Sequence, residues 1–217
     1  MTRKLSLTVD GRNVQVHVHA GDLPDAVSFS GPIAVDSETM GLSLQRDRLC
    51  LVQLSDGGEH AHIVQIRKGD AEAVRLKAVL ADRATLKLFH FARFDLAMIK
   101  RDLGVACAPI YCTKIASKLA RTYTDRHGLK DVVKEMLGRD LSKEQQSSDW
   151  GSETLSDSQI AYAASDVLHL HALKARLDAI LIREGRMEMA QACFDFLPTR
   201  ADLDLAGWET ADIFAHG

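Results

Sequence analysis

The chain has 217 residues, 46% of them hydrophobic and 26% charged, with a net charge of −3. That is the profile of a soluble globular protein with one sizeable core. Its apolar runs fall short of the roughly 20 residues of a membrane span, and it lacks the basic excess that grips long nucleic acid. The four cysteines, Cys50, Cys107, Cys112 and Cys193, form no C-x-x-C pair, and the opening Met1-Thr-Arg-Lys-Leu-Ser lacks the apolar core of a signal peptide, so a cytoplasmic protein with reduced thiols is expected.

In chain order, residues 4–19 predict a β-hairpin: Leu5, Leu7 and Val9 alternate, Asp10-Gly11 marks a turn, and Val14, Val16 and Val18 alternate again. His17 and His19 fall on the other side of the second strand, as solvent-facing histidines or as metal ligands. Residues 20–31 form a Gly/Pro/Asp/Ser-rich connection, which would leave residues 1–20 as an extension of a single domain spanning 1–217. Strands are expected at Ile33–Val35, Leu49–Leu54, Ala61–Ile66 and Thr85–Phe89, and helices over Asp70–Asp82 and Arg93–Leu103. Three strands, a helix, a strand and a helix make an α/β fold, a mixed sheet with packed helices. Helices follow from a Thr113 cap to Ala120 and over Gly128–Leu137, with a polar loop at Leu141–Gly151. Ser156 and Gln159 form a Ser-x-x-Gln capping box that opens a long helix reaching about Arg183. An apolar segment, Ala190–Leu197, precedes Pro198, and the tail Leu203–Phe214 with Trp208 is apolar enough to be ordered.

Three sites carry carboxylates. Asp36 and Glu38 follow the run Ile33-Ala-Val, and residues i and i+2 of a strand share a side. Two like charges so placed repel unless a cation lies between them, and carboxylate oxygens suit Mg²⁺ or Mn²⁺. Asp95 falls in the first turn of a predicted helix, where the helix dipole also favours a plain capping aspartate. Tyr162 and Asp166 are i,i+4 and share a helix face. Lys114, Lys118, Arg121, Arg126 and Lys130 form a basic stretch, the first three on one predicted face, which steers phosphate or simply meets solvent.

In order and context, Asp36, Glu38, Asp95, Asp166 and Tyr162 resemble the DEDD superfamily of 3'→5' exonucleases, in the variant with tyrosine in the third motif. Cys112-Thr-Lys-Ile-Ala, His127-Gly-Leu-Lys, Ser148-Asp-Trp and Tyr162-Ala-Ala-Ser-Asp-Val-Leu are similar to ribonuclease D. Arg48-Leu-Cys-Leu-Val-Gln-Leu, Phe89-His-Phe-Ala-Arg-Phe-Asp-Leu, Gln145-Gln-Ser-Ser-Asp-Trp and Asp212-Ile-Phe-Ala-His resemble more specifically the nanoRNase C family, over about residues 20–217.

This resemblance implies a ribonuclease H-like mixed sheet flanked by helices, the DEDD 3'→5' exonuclease fold. It implies hydrolysis of diribonucleotides and very short RNAs to nucleoside 5'-monophosphates with two Mg²⁺ or Mn²⁺ ions. Asp36, Glu38 and Asp166 would hold the first ion, Asp36 would bridge to the second, Asp95 would act partly through water, and Tyr162 would orient the attacking water. Thr39, Met40, Leu42, His90 and Arg93 would meet the substrate, Leu42 as a wedge between bases. From the residues alone, Leu42 serves equally as a core residue and Arg93 as a solvated one. The resemblance also implies a homo-octamer, with no membrane partner. The alternatives are a ribonuclease D-like enzyme trimming tRNA or longer RNA 3' ends, a DNA exonuclease like the Werner exonuclease domain, and a catalytically dead nucleic-acid-binding module. Ending near residue 217, the chain is expected to lack the C-terminal helical domains of ribonuclease D.

Overall fold

The structure, a computed structural model, describes residues 3–9, 11–69, 72–141, 144–145 and 147–216. The expected turn residue Asp10, the helix start Asp70, and Ser142, Lys143 and Gln146 of the polar loop lie outside these residues. Seven strands form one sheet: β1 (Arg3–Val9), β2 (Arg12–Ala20), β3 (Ile33–Thr39), β4 (Leu49–Ser55), β5 (His60–Gln65), β6 (Lys87–Phe89) and β7 (Ile110–Cys112). Their spatial order is β1-β2-β5-β4-β3-β6-β7. β2/β5, β3/β6 and β6/β7 run parallel, and the other pairs are antiparallel. The hairpin is therefore sewn into the sheet: β2 lies along β5, and Val14, Val16 and Val18 are buried in a core with Ile63, Ile160 and Ala164.

The helices are α1 (Val74–Ala81), α2 (Ala92–Leu103), α3 (Thr113–Ala120), α4 (Leu129–Leu137), α5 (Asp157–Leu168), α6 (Leu170–Arg183) and α7 (Met187–Leu203), followed by a π turn at Asp204–Trp208. α5 covers β2 to β5 on one face, and the larger apolar core unites the remaining helices with the other. The capping box at Ser156 and Gln159 is present. The single long helix expected after it is divided at His169 (φ −103°, ψ −10°). The reason is tertiary: α5 packs on the sheet, whereas α6 packs on α3, α4 and α7, so the chain re-aims between two targets. α7 runs through Pro198 instead of ending before it. Ala190, Phe194, Leu197 and Ala201 form a buried stripe at helical spacing, which offsets the backbone hydrogen bond that proline cannot make. Thr113 is the first residue of α3 rather than its cap; its buried hydroxyl donates to the Phe89 carbonyl at 3.1 Å, tying α3 to β6.

Two charged groups differ from expectation. Arg121 ends α3 fully buried, bonding Glu135 and, at 2.7 Å, the Arg126 carbonyl, so Lys114, Lys118 and Arg121 are not one exposed basic face. His19 is buried rather than solvent-facing. No described helix is long and apolar enough to cross a membrane.

Candidate active site

The end of β3 delivers Asp36 and Glu38 to the α5 side of the sheet, and α5 delivers Asp166 against them. One carboxylate oxygen from each lies within 4.8 Å of the others. The alternation of β3 fixes the first pair, and the packing of Ala163, Ala164 and Val167 into the core fixes the third residue's height over the strand. Asp95 stands apart from this trio. It is buried at the start of α2, where the Ser37 hydroxyl donates to it at 2.5 Å. Tyr162, one helical turn before Asp166, donates its hydroxyl to that carboxylate, and its ring leans on the buried Trp150 at 5.9 Å between centroids.

The electrostatics of this group are unbalanced. Burial first, then mutual repulsion, pushes Glu38 up to about 10, and burial pushes Asp36 up to about 7. Asp95 and Asp166 are raised well above the usual carboxylate range, by burial and then by the Asp36 charge. No lysine or arginine forms an ion pair with any of the four among the described residues. An all-oxygen donor set of half-buried, like-charged groups beside the buried Asp95 fits a hard divalent cation. The phenol of Tyr162 is also pushed up, by burial and by the Asp166 and Glu38 charges, so it stays protonated and donates.

A pH prediction follows from these shifts. Raised carboxylate pKa values favour the protonated, metal-free fold below about pH 4, and this contribution is lost as pH rises through the folded-state value, about 7 for Asp36. The EDTA-treated protein should therefore unfold at a lower temperature at pH 7.5 than at pH 5.5. Mg²⁺ should raise the midpoint more at pH 7.5. Calorimetry at the two pH values checks this, and an equal Mg²⁺ effect at both would contradict it.

The cleft over the carboxylates, about 260 Å³, is lined by Asp36, His90, Lys114, Lys130, Tyr162 and Asp166. His90 places Nδ1 2.9 Å from the Thr113 hydroxyl, and burial, then Lys114, holds its imidazole down at about 3, hence neutral. Phe91 adopts a left-handed backbone (φ 71°) and stacks under the Lys114 ammonium, 4.0 Å from its ring centre. Thr39 is buried, its hydroxyl donating to the Gly41 carbonyl at 2.5 Å, while Met40 and Leu42 are exposed. Leu42, at 80% exposure, is not a core residue. It borders an adjoining groove with Phe91, Phe94 and Thr210. Arg93 is neither solvated nor free: it grips the buried Asp204 through two bonds of 2.5 and 2.6 Å, strapping the tail beside that groove.

Lys130, part of the basic stretch expected from the sequence, lines the cleft. Sequence reasoning missed one group. Gln53 lies in register with Asp36 across β3 and β4, fully buried, and neither atom of its amide has a protein partner. A polar residue at a core position of the strand Leu49–Ser55 was its only signal.

Residues 15–182 match the model of the 3'-5' exonuclease family. The chain belongs to the 3'-5' exonuclease family. This exonuclease is 33% identical to ribonuclease D of Acidiphilium cryptum over 166 residues, which cover 76% of the chain and 42% of that relative. It spans about two fifths of the length of such curated relatives. Among solved structures it resembles NrnC of Brucella melitensis, with 53% identity, 93% of this chain and 98% of the other covered, and a TM-score of 0.90. Other structures hold that Brucella protein with pGG and with Mg²⁺. A further nuclease, in its apo form, is 57% identical with a TM-score of 0.91, covering 93% of this chain and 99% of its own. The expected kinship with nanoRNase C and ribonuclease D therefore holds, and so does the mixed-sheet exonuclease fold. The exonuclease family, the Mg²⁺-bound Brucella structure and the carboxylate trio support divalent metal use.

Proposed function

We propose that the protein is a 3'→5' exoribonuclease that hydrolyses diribonucleotides and other very short RNAs to nucleoside 5'-monophosphates, as one exonuclease domain over residues 1–217. The observation that carries this reading is the convergence of Asp36, Glu38 and Asp166 within 4.8 Å, with Tyr162 bonded to Asp166, at the end of a short cleft. The stronger likeness, 53% identity against 33%, is to a protein whose structure holds pGG, a two-residue ligand, and it supports the short substrate over tRNA trimming. A catalytically dead binding module would have no physical need for four converging carboxylates, one buried and three half-buried, that destabilise one another.

Two Mg²⁺ or Mn²⁺ ions, when bound, activate the attacking water and stabilise the leaving 3'-oxygen. Asp36, Glu38 and Asp166 would hold them directly, with Asp95 acting partly through water and through its bond with Ser37. Tyr162, a protonated donor fixed by Asp166 and Trp150, orients the water rather than deprotonating it. His90 and Lys114, at the cleft wall, stand where phosphate oxygens would lie, while Thr39 and Met40 border the strand end. Leu42, exposed at the groove beside Phe91, would separate two bases. Arg93 contributes by holding the tail through Asp204.

Leu42→Ala should weaken dinucleotide binding, seen as a KM several-fold higher. An aliphatic wedge is worth less than the ~1–3 kcal/mol per base of an aromatic platform. Metal affinity should be unchanged, and an unchanged KM would remove Leu42 from the substrate site. We further place the enzyme in the cytoplasm as a homo-octamer. Light scattering should give a particle of eight chains, whereas a monomer at micromolar concentration would contradict this.

A further inference from the structure

β2 and β5 each carry a His-x-His pair, His17-Val-His19 and His60-Ala-His62. The strands are parallel neighbours, with His17 in register with His62, so the alternation of both strands places four imidazoles on one patch of sheet. That patch lies on the face opposite the catalytic carboxylates. Val18, Ile63, Gln53 and Asp36 are paired residue to residue across the sheet and face α5, and the histidines occupy the alternate positions. The rings meet two by two: His17 Nε2 lies 3.1 Å from His60 Nδ1, and His19 Nε2 lies 3.0 Å from His62 Nδ1. The His17 and His62 rings also stack, with centroids 5.1 Å apart, so the two pairs adjoin. His19 is buried, His62 is half-buried beneath the edge of Phe29, and His60 is open to solvent, which leaves the quartet one accessible side.

We propose that His17 and His60, at the open side of this patch, hold a late first-row divalent cation such as Zn²⁺ or Ni²⁺ as a two-imidazole site completed by water, which clamps the N-terminal hairpin to the exonuclease sheet. His19 and His62 pair behind them, and no three of the four rings bring nitrogens within 4.8 Å of one another. Each nitrogen pair is close to the spacing that one tetrahedral ion imposes on two imidazole ligands, roughly 3.3 Å from bond lengths of about 2.0–2.1 Å. Replacing the shared proton of a pair by an ion needs only a slight opening. Imidazole nitrogen suits Zn²⁺, Ni²⁺ and Cu²⁺, whereas Mg²⁺ and Mn²⁺ keep to oxygen, so the two centres of this chain would take different metals. Burial first, then His60 and Lys4, lowers His17 from its ordinary value, toward the neutral form that ligates. Lys4, across from His17 on β1, and Asp56, near His62, are the charges that act on the group from adjoining segments.

The test is titration of Zn²⁺ into the full chain at pH 7.5 with Mg²⁺ in excess, so that the carboxylate centre is already supplied. The parent should bind Zn²⁺, with its unfolding midpoint raised. Substituting Cu²⁺ should give electron paramagnetic resonance with nitrogen hyperfine splitting. His17→Gln/His60→Gln should bind Zn²⁺ roughly tenfold or more weakly and lose that splitting. If the double variant does not fold by circular dichroism, the exposed His60→Gln alone decides. No Zn²⁺ binding by the parent, binding unchanged in the variants, or a Cu²⁺ spectrum with oxygen ligands only would overturn the proposal.

Discussion

Replacing Asp166 with alanine should lower RNA hydrolysis by about 10³-fold or more while leaving the metal-free fold intact or more stable. Catalysis falls because one of the three converging carboxylates is gone. Stability moves the other way because Asp166 is half-buried among like charges and its pKa is raised by burial and by Asp36. Its ionisation at neutral pH therefore costs the metal-free fold stability, and deleting it lifts that cost. The paired readout separates loss of chemistry from loss of fold: at pH 7.5 in EDTA, the midpoint of Asp166→Ala should equal or exceed the parent's, and Mg²⁺ should raise it less. Asp36→Ala should behave alike. A variant that keeps near-parental hydrolysis would remove the carboxylate from the mechanism.

Tyr162→Phe isolates a single hydroxyl. The ring remains against Trp150, and only the donor to Asp166, which is the proposed donor to the attacking water, is lost. Positioned groups of this kind are typically worth ~10²–10⁴-fold in rate, so kcat should fall in that range with KM and Mg²⁺ affinity little changed. Because the phenol's pKa is raised, its ionisation should not shape the pH–rate profile between pH 6 and 9. An unchanged kcat would reduce Tyr162 to a packing residue.

The features that could be read from sequence are those set by local periodicity. Asp36 and Glu38 announced themselves by the period of two, Tyr162 and Asp166 by the i,i+4 step, and Ser156 and Gln159 by a cap that needs only three residues to form. What escaped was nonlocal. The docking of β2 along β5, the burial of Arg121 against Glu135, and the grip of Arg93 on Asp204 join residues far apart in the chain. β7 has three residues and pairs only with β6, too short for a pattern. The break at His169 lies between two stretches that are both good helix, and only their different packing partners explain it. Gln53 looked like a lapse in an apolar strand until its register placed it beside Asp36.

The central claim is that this exonuclease centre is built for the shortest RNA. The measurement that tests it most directly is the initial rate of disappearance of a 5'-labelled dinucleotide and of a 5'-labelled heptanucleotide, each at the same sub-saturating concentration, with Mg²⁺ and with EDTA. The account predicts faster turnover of the dinucleotide with Mg²⁺ and none of either in EDTA. Faster consumption of the heptanucleotide, or undiminished activity in EDTA, would contradict it.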